Sequence, residues 1–149
     1  MGLRRAYVPA LVIWSVAFGA AAQEPQPAPG YFLETIVATT TAQNLALACP
    51  YLSFDIFRAS TVSDDVLARL ADDGFDAKNL EATMADPADE IRRMQQAFLV
   101  KHGLPRDGAD FEAVCAAGLA EIAEGTAIGG FLTEITGEDA VDPTEKASE

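Results

Sequence analysis

The sequence predicts an all-α fold, a small bundle of four or five helices clipped by one disulfide. Three observations support this prediction. Apolar residues recur at helical spacing, no stretch shows the sustained alternation of a half-buried strand, and two cysteines lie in separate helical stretches. The chain has 149 residues, of which 50% are hydrophobic and 22% charged, a composition typical of one globular domain.

The first 22 residues have the three regions of a secretory signal peptide. A positively charged start is followed by an apolar stretch over residues 6–18, and Ala20 and Ala22 supply the small side chains of a cleavage site. The alternative is a retained membrane anchor, but the apolar stretch is shorter than the roughly 20 residues of a span. We therefore expect a periplasmic or secreted protein with no stable membrane anchor after cleavage.

Two segments are expected to lie outside the folded domain, which spans residues 31–136. Residues 23–30 contain three prolines and no large apolar side chain, which indicates an extended linker. Residues 137–149 are polar and acidic, so they bury too little apolar surface to offset the entropy of ordering, and we expect a disordered tail.

The net charge of the chain limits the kinds of molecule and surface that the protein is expected to bind. The net charge of −13 disfavours nucleic acid, because binding it requires clustered Lys and Arg that neutralise phosphates. An anionic membrane surface is disfavoured for the same reason.

The first two helical segments follow from apolar spacing. The first is predicted over Tyr31–Leu47, although three consecutive threonines weaken its middle. The second is predicted over Pro50–Asp73, with a bend near residues 60–63. Its expected core residues are Leu52, Ile56, Val66 and Leu70.

Glycines and caps predict the next boundaries. Gly74 ends the second segment, with Phe75 folding back onto Leu70, and Gly103 ends a later helix in the same way. Asp76 is expected to cap a short helix that ends near Met84. The later helix begins with an Asp-Pro pair and has an apolar face formed by Ile91, Met94 and Phe98.

A last helix is predicted over Asp110–Thr133. Its expected inward residues are Phe111, Val114, Cys115, Leu119, Ile122 and Leu132. Three of its glycines, together with one isoleucine, form a candidate stripe for close approach of another backbone: Gly118, Ile122, Gly125 and Gly129. That backbone belongs either to a helix of the same chain or to a partner protein.

Cys49 and Cys115 are the two cysteines of the chain. An even count in a small exported protein predicts a disulfide, which closes a loop of 66 positions here. Metal and thiol redox chemistry are less suitable interpretations, because two distant cysteines supply too few ligands and form no C-x-x-C pair.

The sequence offers little for catalysis, and we expect no metal, no cofactor and no enzymatic activity. His102 is the single histidine, and its place in the last turn of a predicted helix suits the exposed carbonyls there. The alternative is a small enzyme or ligand carrier with carboxylates in a helical pocket. It requires acids to converge with a base, and the candidates are Glu121, Glu124 and Asp110 with Arg92 or Lys101.

Short identities and their spacing resemble a domain-of-unknown-function family of small exported two-cysteine bacterial proteins. The resemblance covers about Tyr31 to Leu132 and is carried by Cys49, Gly74-Phe75, residues 89–94, residues 115–123 and residues 125–129. It implies a signal peptide, a cysteine pair and a small-residue stretch such as 118–129, and it implies no catalytic residue. The proline-bearing linker and the acidic tail depart from the family pattern.

Two functions remain open at this point. The first is a noncatalytic periplasmic accessory domain that presents a face to another periplasmic protein. The second is the carboxylate enzyme or carrier described above. A deep pocket with two buried acids favours the second, whereas a closed core with an exposed apolar patch favours the first.

We expect the mature protein to begin at Gln23, because Ala20 and Ala22 satisfy the two small-residue positions of the peptidase. N-terminal sequencing of the protein from an exported fraction measures this. Recovery of a chain that starts at Met1 in the membrane fraction would contradict it.

Overall fold

The computed structural model describes residues 24–136. The predicted signal peptide and the predicted tail lie outside the described residues. The elements are α1 (Gly30–Ala48), β1 (Leu52–Phe54), α2 (Ile56–Asp72), α3 (Leu80–Thr83), α4 (Ala88–His102), α5 (Phe111–Glu124), the 3-10 helix η1 (Gly129–Phe131) and β2 (Leu132–Glu134). The fold is therefore mostly helical, as predicted.

Helix α1 is the central element, because α2, α4, α5 and β1 all pack against it. Its buried residues recur at helical spacing, and Ala42 and Leu45 are almost fully enclosed. The helix continues through the three central threonines, and two of them donate their hydroxyls to carbonyls four residues earlier, Thr39 to Thr35 and Thr40 to Ile36. The predicted helix over Tyr31–Leu47 is confirmed.

A disulfide joins Cys49, directly after α1, to Cys115 in α5. The two Cα atoms are 5.1 Å apart, and both side chains belong to the main apolar core. The predicted bridge is confirmed. It indicates an oxidising compartment of extracellular type, since thiols stay reduced in the cytosol.

The predicted glycine stops after α2 and α4 are confirmed. Gly74 has φ 90° and Gly103 has φ 62°, both in the left-handed region that favours glycine. After the first stop, the Phe75 amide donates to the Leu70 carbonyl at 2.9 Å, and both side chains are buried in a second apolar cluster. At the second stop, the Leu104 amide donates to the Leu99 carbonyl, also at 2.9 Å.

The prediction of a helix that begins at Pro50 is wrong for the first residues of this segment. A short strand, β1, precedes α2, and the Asp55 carboxylate caps α2 by accepting from the Arg58 amide at 2.9 Å. The four residues between Pro50 and this cap include β1, whose extended backbone pairs with β2 and does not form a helical turn. Helix α2 then runs without interruption through residues 60–63, where a bend was expected. Ile56, expected in the core, is 66% exposed.

The short helix after Gly74 also differs from the prediction. The Asp76 carboxylate accepts from the Lys78 amide at 3.0 Å, which closes a local turn instead of capping a helix. Helix α3 therefore begins only at Leu80 and has four residues. Helix α4 begins at Ala88, directly after the predicted Asp-Pro start.

The predicted last helix is too long, because α5 ends at Glu124. Gly125 follows with φ 64°, and the Thr126 amide donates to the Glu121 carbonyl at 3.2 Å, the same kind of glycine stop as in α2 and α4. The chain then turns through η1 into β2, which pairs with β1 as a two-stranded antiparallel sheet. No strand was expected here. Phe111, predicted to point inward, is 47% exposed.

The candidate glycine stripe is therefore not one face of one helix. Gly118 lies in α5, where the Leu52 side chain approaches it closely, and Ile122 packs against the main core. Gly125 is the helix stop, with open space around it, and Gly129 lies in η1 against the backbone of Glu121. Close approach within the same chain is thus found at Gly118 and Gly129.

In residues 24–136, no helix is long and apolar enough to cross a membrane.

Replacing Cys115 with Ser should lower the thermal midpoint by an amount that corresponds to about 4 kcal/mol, because the bridge closes a long loop of the unfolded chain. Thermal melting of protein from an oxidising compartment, with thiol titration of the wild type, measures the effect. Two reactive thiols in the native wild type, with unchanged stability in the variant, would contradict it.

Gly129→Ala should destabilise the fold by about 1–3 kcal/mol. A Cβ at this position would lie 2.1 Å from the Glu121 carbonyl oxygen, which belongs to helix backbone that cannot move aside. Gly130→Ala is the matched control, because its Cβ would first meet the mobile end of Arg58 at 3.4 Å. Urea unfolding compares the two variants, and equal stabilities would contradict the prediction.

Candidate functional site

The described residues contain one almost fully buried carboxylate, that of Glu121 in α5, which is 2% exposed. Its Oε1 atom accepts from Lys101 Nζ at 2.7 Å and lies 2.6 Å from His102 Nε2. Its Oε2 atom accepts from the Thr126 hydroxyl. We name Lys101, His102, Glu121 and Thr126 the Glu121 cluster. Both carboxylate oxygens are thus hydrogen-bonded, as burial of a charge requires.

The ends of two helices bring these side chains together. Lys101 and His102 occupy the last turn of α4, and Glu121 occupies the last turn of α5. Thr126 follows the α5 stop, and its hydroxyl oxygen also accepts from the Gly129 amide at 3.1 Å. The cluster therefore ties α4, α5 and the turn into η1 to one another.

The burial of His102 is completed by an aromatic contact. The centroid of its ring lies 4.8 Å from that of Phe98, one helical turn earlier, and the His102 side chain is 9% exposed. With Nε2 facing a carboxylate oxygen, the hydrogen bond requires a proton on that nitrogen. The imidazole is thus held in one orientation between a ring and a carboxylate.

Opposing effects act on the pKa of Glu121. Burial alone would raise it, but the hydrogen bonds from Lys101, Thr126 and His102 together outweigh burial and hold the pKa below its ordinary value of 4.5. Hydrogen bonds to Glu121 and Glu124 raise the pKa of Lys101 above its ordinary value. The carboxylate and the ammonium group therefore stabilise each other in their charged forms.

The structure brings together three of the five residues on which the carboxylate hypothesis depended. Lys101 contacts Glu121 and also lies 2.5 Å from Glu124 Oε2 on the solvent side. Asp110 is elsewhere, where it caps α5 by accepting from the Ala113 amide at 2.7 Å. Arg92 pairs with Asp89 on the exposed face of α4.

Sequence reasoning missed the contact of His102 with Glu121 and the part played by Thr126. One signal was present, since Glu121 lies four residues after the buried Ala117 and three after the buried Gly118, and so on the buried face of α5. An acid at such a position needs partners. The sequence did not show which partners, because they depend on how α4 crosses α5.

Most of this cluster is closed to a substrate. Glu121 lines none of three clefts of about 340–530 Å³ in residues 24–136, although Thr126 lines one of them. Within the same range, no group of three or more His, Cys, Asp or Glu side chains is placed to hold a metal ion. The geometry is that of a buried polar contact between helices.

The fold and the cluster define a class, a small disulfide-bridged helical domain whose buried polar residues join its helices. Residues 26–133 match the model of the Family of unknown function (DUF5333), and the chain belongs to this family. Comparison with curated proteins and with solved structures finds no match. The resemblance to a domain-of-unknown-function family is thereby confirmed.

Glu121→Gln should lower the free energy of unfolding by about 2 kcal/mol at neutral pH, because it weakens hydrogen bonds to a buried charged group. Since the pKa of Glu121 is lowered in the folded state, its contribution is complete above the unfolded pKa and is lost as pH falls through the folded one. The stability difference between wild type and variant should therefore shrink in acid.

Urea unfolding over a pH series measures this difference. Glu124→Gln is the matched control, because Glu124 contacts the same lysine but its side chain is 50% exposed, so its effect should be much smaller. A stability difference for Glu121→Gln that stays constant into acid would contradict the assignment.

Proposed function

We propose that this chain is a noncatalytic periplasmic accessory domain that binds a partner protein through one face of α2. The observation that carries the proposal is an uncharged row along this helix. Ile56, Ser60, Ser63 and Leu67 follow one another at spacings of four, three and four residues, so they lie on one side of α2, and all four are exposed. We name these four residues the α2 stripe.

The composition of the α2 stripe contrasts with the rest of the chain. Acidic residues outnumber basic ones by 23 to 10, yet the stripe carries no charge and has an apolar residue at each end. Ile56 is 66% exposed and Leu67 is 40% exposed. Single exposed apolar residues are ordinary, but their alignment with small uncharged residues favours a packing surface.

Phe57 adds a large aromatic residue beside the stripe. Its side chain is 85% exposed, the largest exposed fraction among the exposed large hydrophobic residues of the described part. Aromatic residues are enriched in protein interfaces, where they bury much area with few rotatable bonds. Ile56 and Phe57 together therefore suit a contact with another protein at the start of α2.

The Glu121 cluster supports a noncatalytic role. The enzyme or carrier hypothesis required a pocket with two buried acids near a base. Lys101 does meet two acids, but Glu124 lies in solvent and the Glu121 carboxylate is enclosed by its three hydrogen-bond donors. These contacts account for the cluster through stability, without a ligand.

The periplasmic location is supported by two independent features. The first 22 residues have the pattern of a signal peptide, and the disulfide favours an oxidising compartment. The partner is then another periplasmic protein, identified by complementarity to an uncharged, partly apolar helix face.

Replacing Ile56, Phe57 and Leu67 together with Ser should abolish capture of the partner while the domain stays folded, because these side chains are exposed. The measurement is affinity capture of the tagged mature protein from periplasm, with quantitative mass spectrometry. The matched control replaces Leu47 and Val100 with Ser, since both are 70% exposed and lie outside α2. The same captured proteins for the triple variant and the wild type would contradict the proposal.

A further inference from the structure

A groove of about 530 Å³ lies between α1, α4 and the segment that joins α4 to α5. None of its lining residues belongs to α2, so it is separate from the α2 stripe. Its volume falls within the range of about 300–1,000 Å³ that is common for binding sites. It is therefore large enough to hold a short segment of another molecule.

The floor of the groove is apolar. Leu45 is 4% exposed and belongs to the main core, and Leu104 and Val114 pack against that core from the groove side. Leu99 completes the floor. An occupant gains free energy by placing an apolar side chain here, because apolar surface is removed from water on both sides of the contact.

The walls of the groove carry side-chain amides. Asn44 comes from α1, and Gln95 and Gln96 come from α4. Each primary amide offers donors and an acceptor. Together they suit the alternating N–H and C=O groups of an extended peptide backbone.

The charge of the groove opposes that of the chain. Its lining contains two arginines, Arg92 and Arg106, and no acid, in a protein where acids exceed bases by 23 to 10. Arg106 forms no ion pair within residues 24–136 and has only a long hydrogen bond of 3.4 Å to Gln96. Arg92 pairs with Asp89, whose side chain is 93% exposed, and such an exposed pair exchanges readily for another carboxylate.

We propose that this groove binds an extended acidic peptide segment of a partner protein. Carboxylates of the segment bind Arg92 and Arg106, its backbone binds the wall amides, and one large apolar side chain occupies the floor. Guanidinium groups bind carboxylates with two parallel hydrogen bonds, which gives both strength and orientation. This site acts independently of the α2 stripe and does not rest on it.

The test begins with panning of a phage-displayed library of random dodecapeptides against the full mature chain with its disulfide formed. We expect the selected peptides to share Asp or Glu together with a large apolar residue. The strongest peptide is then synthesised with a fluorescent label, and its Kd is measured by anisotropy. Its Asn and Gln counterpart, which lacks the carboxylates, should not bind.

Charge-reversal variants then locate the site. Arg92→Glu and Arg106→Glu should each weaken peptide binding roughly tenfold or more, because a carboxylate then faces a carboxylate. Arg93→Glu is the matched control, since Arg93 is also exposed on α4 and also pairs with an acid one turn earlier but does not line the groove. It should change the Kd less than about twofold. All three side chains are exposed, and thermal melting checks that each variant folds.

Three results would overturn the proposal: no enrichment of any peptide, a selected set without acids, or equal Kd values for Arg106→Glu and Arg93→Glu. The triple serine variant at Ile56, Phe57 and Leu67 should bind the peptide as the wild type does, because none of these residues lines the groove. The proposal of peptide binding in the groove and the proposal of partner binding at α2 are therefore tested separately.

Discussion

The hydrogen bonds to the buried carboxylate of Glu121 are the contact on which the C-terminal half of the fold depends. Helix α4 ends on one side of this carboxylate, and the turn after α5 closes on the other. A carboxylate at 2% exposure is stable in its charged form only with several donors, because water cannot readily replace a donor that is lost. The disulfide holds the first half of α5 to the end of α1, and the Glu121 cluster holds its last turn to α4. Helix α5 is thus fixed at both of its halves.

The sequence predicted the parts of the fold that depend on local chemistry. Glycine after a helix and a proline before one act through neighbouring backbone, so the ends of α2 and α4 and the start of α4 followed from a few residues. The β1–β2 pair depended on a contact between positions about 80 residues apart, and three-residue strands are too short to show alternation. Gly125 was interpreted as a packing residue because apolar spacing continues beyond it as far as Leu132. The Glu121 cluster was partly predictable, since Glu121, Glu124 and Lys101 were candidates for convergence. The contacts of His102 and Thr126 with Glu121 could not be predicted, because they depend on how α4 crosses α5 and on the turn that follows α5.

The surface divides into regions of different chemistry. Acidic side chains outnumber basic ones in the chain as a whole, and such an excess of one charge limits nonspecific contacts. The α2 stripe is uncharged, whereas the groove beside α4 carries two arginines and no acid. Both regions differ from the acidic surface. The α2 stripe carries no charge, and the groove carries positive charge. In the two proposals made above, each of these regions contacts another protein.

The central claim is that Glu121 and His102 act as one structural unit between α5 and α4. A double-mutant cycle tests it most directly, with unfolding free energies measured in urea at neutral pH for wild type, His102→Gln, Glu121→Gln and the double variant. The account predicts that the two substitutions are not additive and that their coupling energy exceeds about 1 kcal/mol. Additivity within about 0.3–0.5 kcal/mol, the value found for distant sites, would contradict it.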